Sequence, residues 1–203
     1  MKPNIKDLSF SEFEAYLLER KQPSYRARQV WQWLYRKRAA SFADMTNVSG
    51  VFRVQLAADF SISRLAVERK ADSADGTVKF LFRLADDRSI ESVLIPEARR
   101  LTLCISTQAG CGFGCAFCAT ALLGLKRNLR ASEIVDQILE ASRTLGDDRR
   151  ITNVVLMGMG EPLANYAQTV KAIDVMTDTS WGIGISPRRV TLSTVGLCHR
   201  FTS

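Results

Sequence analysis

The stretch Leu101–Cys118, LTLCISTQAGCGFGCAFC, sets the reading of the whole chain. Its first half, Leu101–Ser106, is an apolar run of strand length; its second half is a glycine-rich loop. Three cysteines stand in that loop as C-x3-C-x2-C at Cys111, Cys115 and Cys118, interleaved with Gly110, Gly112 and Gly114. No aspartate or histidine adjoins them to complete a set of four. Three thiolates from one short loop can hold three corners of a four-iron cluster and leave the fourth iron open to a ligand. Glycine permits the positive φ values that a tight wrap demands. Two plainer readings compete. Structural zinc needs four ligands, so Cys104 or Cys198 would have to supply one. The three could also be buried thiols with no ligand role, although a glycine-rich loop makes poor core. An odd count of five cysteines disfavours a disulfide framework.

From Leu101 onward the pattern alternates strand, loop and helix. A helix capped by Ser132 places Ile134, Ile138, Ala141 and Leu145 on one side, with Glu133 and Asp136 in its first turns. Ile151–Met157 reads as a second buried strand, followed by the loop GMGEP at Gly158–Pro162. Tyr166, Val170, Ile173 and Met176 mark the next helix, and Arg189–Ser193 a third strand. This alternation predicts a parallel sheet or barrel. Each chemical motif then falls at the C-terminal end of a strand, where such barrels build their sites.

Upstream, residues 10–60 read as a small helical unit. Ser11 is a candidate cap, Phe13, Tyr16 and Leu17 share one face, and Ala27, Val30, Trp33, Leu34 and Lys37 form a second stripe. Trp31 and Trp33 cannot share a helix face, so one packs and the other is partly exposed. Arg26, Arg28, Arg36, Lys37 and Arg38 crowd this helix, either as a solvated face or as phosphate contacts. Between 61 and 96 the period changes to two. Val78, Phe80, Phe82 and Leu84 alternate with Lys79, Leu81 and Arg83, and Ser89–Ile95 is the following strand. Glu91 shares a face with Val93 and Ile95. A carboxylate on an apolar face either reaches water at an edge or is kept for proton transfer, its pKa raised by desolvation.

The chain has 203 residues, 46% of them apolar and 24% charged, with a net charge of +7. A polyanionic partner is favoured by that charge, without being specified by it. No apolar run reaches the roughly 18 residues of a membrane helix. The N-terminus, MKPNIKDLSF, has no apolar signal core, which with reduced cysteines predicts a cytoplasmic protein. The glycines of GMGEP do not form a dinucleotide fingerprint. That loop is either a strand-to-helix turn or a ligand cradle, and Cys104 is either an inert strand cysteine or a reactive one.

The cysteine triplet with Phe117 before its last member resembles the radical S-adenosylmethionine enzymes. IESVLIP at Ile90–Pro96, LCISTQAGC at Leu103–Cys111, VVLMGMGEPL at Val154–Leu163 and RRVTLST at Arg188–Thr194 narrow the resemblance to the RlmN/Cfr family. The likeness runs from about residue 5 to 196. It implies an α/β fold: a partial (βα)6 radical-SAM barrel over 101–203, preceded by a helical accessory RNA-binding domain over 1–60 and a β-meander over 61–100. It implies methylation of carbon-2 of adenine in 23S rRNA and tRNA, with a [4Fe-4S] cluster on Cys111, Cys115 and Cys118. S-adenosylmethionine would be held by Gly160, Glu161 and, on its ribose side, Ser193. In this family a methyl group carried on a protein cysteine joins the ring through a radical, Glu91 matches the base that removes the ring proton, and Cys104 matches the cysteine that forms a disulfide to release the product. A flavodoxin-type reductant and a monomeric state are further implications. The methyl-carrying cysteine is not matched: Cys198 does not occupy its place, and the tail Leu197–Ser203 drifts from the pattern. His199 reads as incidental. The expectation is a truncated member holding about half the barrel and inactive alone. A different radical enzyme or a non-catalytic RNA-binding fragment are the other readings.

Overall fold

Hydrophobic alternation in the middle of the chain builds one mixed sheet, and the computed structural model describes it within residues 2–146 and 149–197. Cys198 and His199 lie outside the described residues. The chain divides into two units. One comprises the residues up to Arg64 together with Asp174–Gly184; the other comprises Leu65–Ile173 and the residues from Ile185 on.

The first unit is helical: α1 (Phe10–Glu19), α2 (Tyr25–Tyr35) and α3 (Gly50–Asp59). Ser9, not Ser11, caps α1. Its hydroxyl accepts from the Glu12 amide while Glu12 accepts from the Ser9 amide, the reciprocal pair of a capping box. Ser9 wins because its partner glutamate stands three residues on. Trp31 is fully buried against Phe13, with ring centroids 4.5 Å apart, while Trp33 stays half-exposed under the Lys37 ammonium. The buried stripe of α2 is therefore Ala27, Val30, Trp31, Leu34 and Tyr35, one step round from the expected one. The segment 178–184 belongs here because Trp181 stacks on Phe10 at 4.8 Å and Arg36 donates to the carbonyls of Thr179 and Gly182. Arg36 is thus committed to carbonyls rather than free for phosphates.

The second unit holds β1 (Ala66–Asp72), β2 (Val78–Arg83), β3 (Ser89–Glu97), β4 (Arg100–Cys104), the short pair β5 (Gln108–Ala109) and β6 (Arg127–Asn128), α4 (Ala131–Arg143), β7 (Asn153–Leu156), and β8 (Val190–Leu192). Helix α5 (Tyr166–Thr177) starts in this unit. Six strands form one sheet in the order β1-β2-β3-β4-β7-β8. The first four meander antiparallel, and β4, β7 and β8 run parallel. The meander and the barrel-like strands therefore share a sheet. β1 was not legible in the sequence: AVERKAD is exposed along its whole length and carries no alternation. Its charges and a bulge between Val67 and Arg69 suit an edge strand. Helix α4 starts after Arg130 rather than at Ser132. The Arg130 amide donates to Glu133, and Ser132 is buried in the first turn. Helix α5 turns Ala172, Val175 and Met176 inward and leaves Tyr166 and Val170 exposed, against the expected stripe.

The register sorts the sheet into two faces. Phe80, Phe82, Ile90, Ser92, Leu94, Leu103, Val154 and Leu156 are buried on one. Helix α4 covers this face, its Gln137 reaching Ser92. The other face carries Lys79, Leu81, Glu91, Val93, Thr102, Cys104, Asn153, Val155 and Thr191, all half- or fully exposed. No described helix is long and apolar enough to cross a membrane.

Candidate functional site

The loop that follows β4 is closed at its base before any ligand is considered. β5 pairs with β6, the Lys126 amide donates to the Ala109 carbonyl at 2.9 Å, and Gly110 crosses Gly124 so closely that a Cβ would stand 1.9 Å from the Gly124 oxygen. Both glycines adopt positive φ, +77° and +61°. Arg127 on β6 grips Asp86 at 2.7 Å and forks onto both oxygens of Glu133. It holds the Asp86 carboxyl well below the usual carboxylate range, and these two partners raise its own guanidinium.

Cys111, Cys115 and Cys118 sit in the closed loop as free, half-buried thiols, with Cys104 likewise free. The Cys118 thiol is lowered by the backbone and hydroxyl of Thr120, and the Phe113 amide donates to the Cys111 sulfur at 3.5 Å. Among the described residues no three His, Cys, Asp or Glu side chains converge as a ready metal site. The loop's own packing gives no reason for the sulfurs to gather: Phe117 is 93% exposed, Leu122 is nearly as open, and nothing stands within 4 Å of a Cβ at Gly114. The donor chemistry fits an iron–sulfur cluster, since three half-buried thiols outside any disulfide lie on one loop, with amide donors at Cys111 and Cys118. Thr107, buried just before the loop, has a hydroxyl with no partner among the described residues.

The GMGEP loop leaves β7 beside β4. Gly158 packs just past the end of β4 so tightly that a Cβ would meet the Ile105 carbonyl at 2.7 Å. Gly160, at φ +102°, lies against Gln108, with its virtual Cβ 2.5 Å from the Gln108 Cβ. Glu161 is 3% exposed. One of its oxygens accepts from the Leu163 amide at 2.9 Å, the other from the Val195 amide at 2.8 Å, and its own amide donates to Gln108 at 2.9 Å. The carboxylate thereby fastens the loop after β7 to the loop after β8. Ser193 lies exposed just past β8.

Glu91 and Cys104 share the open sheet face. Cys104 pairs with Val93, so Glu91 is its diagonal cross-strand neighbour, at about 7–8 Å between backbones. The expected companions, Val93 and Ile95, do share Glu91's face, but that face is the uncovered one. Glu91 is 42% exposed and forms an ion pair with Lys79 at 2.7 Å. Its side chain stays part-exposed because α4 covers the opposite side of β3. Burial does push the Cys104 thiol up.

A buried polar knot, which gave no sequence signal, joins these parts. Gln137 of α4 accepts from the Ser92 hydroxyl at 2.7 Å and the Ser106 amide at 2.8 Å, and donates to the Ser106 carbonyl at 2.9 Å. The Ser106 hydroxyl donates to the Glu91 carbonyl at 2.6 Å and accepts from the Met159 amide at 2.9 Å. One residue at the tip of β4 thus sets the positions of β3, α4 and the glycine loop.

Comparison with known proteins agrees with this arrangement. Residues 3–62 match the model of the ribosomal RNA large subunit methyltransferase N-terminal domain, and residues 105–200 match that of the radical SAM superfamily. The chain is 51% identical over 196 residues to a dual-specificity RNA methyltransferase RlmN of Desulfosudis oleivorans, covering 97% of this chain and 53% of that protein. It is 47% identical to the corresponding protein of Syntrophobacter fumaroxidans, covering 95% and 56%. The crystal structure of a radical SAM methyltransferase from Sphaerobacter thermophilus superposes with a TM-score of 0.85 at 40% identity, covering 95% of this chain and 57% of that one. The chain spans about half the length of the relatives it matches. The fold is that of a partial radical-SAM barrel with an N-terminal helical region.

Proposed function

The chain belongs to the RlmN family of radical S-adenosylmethionine RNA methyltransferases, and from there we propose that it forms the cofactor-holding part of an enzyme that methylates carbon-2 of adenine in 23S rRNA and tRNA. The observation that carries this reading is the placement of the motif loops. They leave the C-terminal tips of adjacent parallel strands β4, β7 and β8, and Glu161 ties two of them together.

Cys111, Cys115 and Cys118 would hold a [4Fe-4S] cluster, and Gly160, Glu161 and Ser193 would contact S-adenosylmethionine. When bound, these groups supply the one-electron chemistry that an electron-poor ring carbon, unreactive toward a polar methyl donor, requires. Gly160 lets the backbone approach a ligand without a side chain in the way. Glu161 has both oxygens committed to amides, so it shapes the cradle and meets an ammonium group through its remaining lone pairs. On the open face, Glu91 takes the ring proton once Lys79 yields it, and Cys104, its diagonal neighbour, is the sulfur that resolves the protein-bound product. None of the four described cysteines is paired in a disulfide. No cysteine here matches the methyl carrier, and the sheet face bearing Glu91 and Cys104 is part-exposed among the described residues, so the 203 residues by themselves are proposed not to turn over. The working enzyme is proposed to be a cytoplasmic monomer served by a flavodoxin-type reductant.

Anaerobic reconstitution with iron and sulfide tests the cluster. About four irons per chain are expected, and Cys111→Ala, Cys115→Ala and Cys118→Ala should each abolish binding. Full iron content in all three variants would reject the assignment. Formation of 2-methyladenosine by the 203 residues with RNA, S-adenosylmethionine and reductant would refute the proposed inactivity.

A further inference from the structure

At the N-terminal edge of the parallel strands, opposite to the motif loops, Arg99, Arg100, Arg188 and Arg189 line a cleft of about 470 Å3 with Thr152 and Asn153. Arg99 lies in the two-residue turn Ala98–Arg99 that joins β3 to β4, and Arg100 opens β4, where it pairs with Glu97. The other two come from the single helical turn Pro187–Arg189 that leads into β8. They are the RR of RRVTLST, and they have no part in the site at the opposite end of the strands.

Three features single this cleft out. Guanidinium groups are charged at every working pH, so four around one cavity repel each other unless an anion joins them. Among the described residues none of the four arginine side chains makes a hydrogen bond or ion pair, and neither does the adjacent carboxylate of Glu97. Finally, the turn that presents Arg99 and leads into Arg100 is strained. Ala98 sits at φ +37°, a region that two-residue hairpins normally fill with asparagine or glycine. Strain of this kind persists where the surrounding structure enforces it, often at a binding site.

We infer that this cleft is a second RNA contact, which grips phosphate groups away from the reacting base. Arginine forks match phosphate oxygens in pairs, and the side chain of Asn153 adds a neutral donor. The cleft stands one strand length, about 13 Å along β4, from Cys104. The phosphates it holds therefore belong to nucleotides that flank the one undergoing reaction, and they set the angle at which the RNA enters. The inference rests on the RNA reading above.

The test measures RNA affinity of the 203-residue chain against salt concentration. It compares the parent with Arg99→Gln/Arg100→Gln, Arg188→Gln/Arg189→Gln, the fourfold variant and an Arg69→Gln control on β1. Circular dichroism and thermal unfolding verify that each variant folds. Each phosphate that the protein no longer neutralises should lower the slope of log affinity against log salt by about 0.7–0.9. The pairs should each lower it by up to about 1.8 and the fourfold variant by up to about 3.6, with no change in the control. Folded variants that keep the parent's slope, while the parent binds RNA, overturn this inference and leave the RNA reading standing. A parent that binds no RNA at any salt overturns both. Inorganic tripolyphosphate and poly-glutamate serve as competitors. Arginine-dependent binding of either one as tight as that of RNA marks a free-anion or acidic-protein site and overturns the RNA assignment.

Discussion

Replacing Gln137 with Met removes the centre of the buried knot while nearly preserving side-chain volume. The Ser106 amide and carbonyl are each deprived of the partner they have on this side chain, and the Ser92 hydroxyl of its acceptor. A buried polar group left without its partner costs about 1–3 kcal/mol. The hydroxyl can re-aim, so the two backbone groups decide the result, at about 4 kcal/mol together. That is a large share of the roughly 5–15 kcal/mol that keeps a domain folded. In urea, with a slope near 2 kcal/mol/M, the unfolding midpoint should fall by about 2 M at unchanged slope. Because Ser106 also receives the Met159 amide, hydrogen exchange at Met159 should accelerate in the same variant. In a Ser92→Ala background the further loss from Gln137→Met should be smaller, as one shared partner is already gone. A midpoint shift under about 0.5 M, corresponding to about 1 kcal/mol, would falsify the claim that this knot organises the site.

Two further outcomes are expected. Gly160→Ala places a methyl 2.5 Å from the Gln108 Cβ and 2.7 Å from its backbone nitrogen at a positive φ, so neither side can give way easily. Overpacking and left-handed strain should together cost about 3 kcal/mol in denaturant unfolding, and a change below about 1 kcal/mol would show that the loop shifts freely. In the iron-free chain, iodoacetamide at mildly alkaline pH should modify Cys118 ahead of Cys104, since Thr120 lowers one thiol and burial raises the other. The sign follows from linkage. A raised thiol pKa favours the folded state while the sulfur is protonated, and that contribution disappears as pH climbs through the folded value, so Cys104 labelling should rise steeply only at high pH. Peptide mapping that finds Cys104 labelled first at pH 8 would contradict it.

The strand–loop–helix alternation was legible because β4, β7 and β8 each carry apolar residues at strand length between loops, although one face of each, with Thr102, Cys104, Asn153, Val155 and Thr191, stays part-exposed. It carried the motif loops because cysteine and glycine there serve no core. It could not say which face of β3 would be covered. Glu91, Val93 and Ile95 alternate with Ile90, Ser92 and Leu94, and both sets look half-apolar until α4 settles on one of them. The face of α5 slipped for the same reason: Tyr166 and Val170 are apolar enough to be mistaken for core. Gln137 and Ser106 were invisible because a buried polar interaction between distant positions leaves no periodic trace. Ser9 could have been found, since Glu12 stands at the capping-box spacing.

The crossing of Gly110 over Gly124 has a bearing on how iron would be loaded. Thirteen residues, 111–123, are looped out between two points that the fold already holds together. Bringing the ends of such a segment into contact from a free chain costs roughly 2 kcal/mol of entropy, and the β5–β6 pairing at the loop's base offsets that cost. Assembly then only has to order the interior of a tethered ring. Widening the crossing, for example by a bulky residue at either glycine, should slow iron uptake even though every sulfur is still in place.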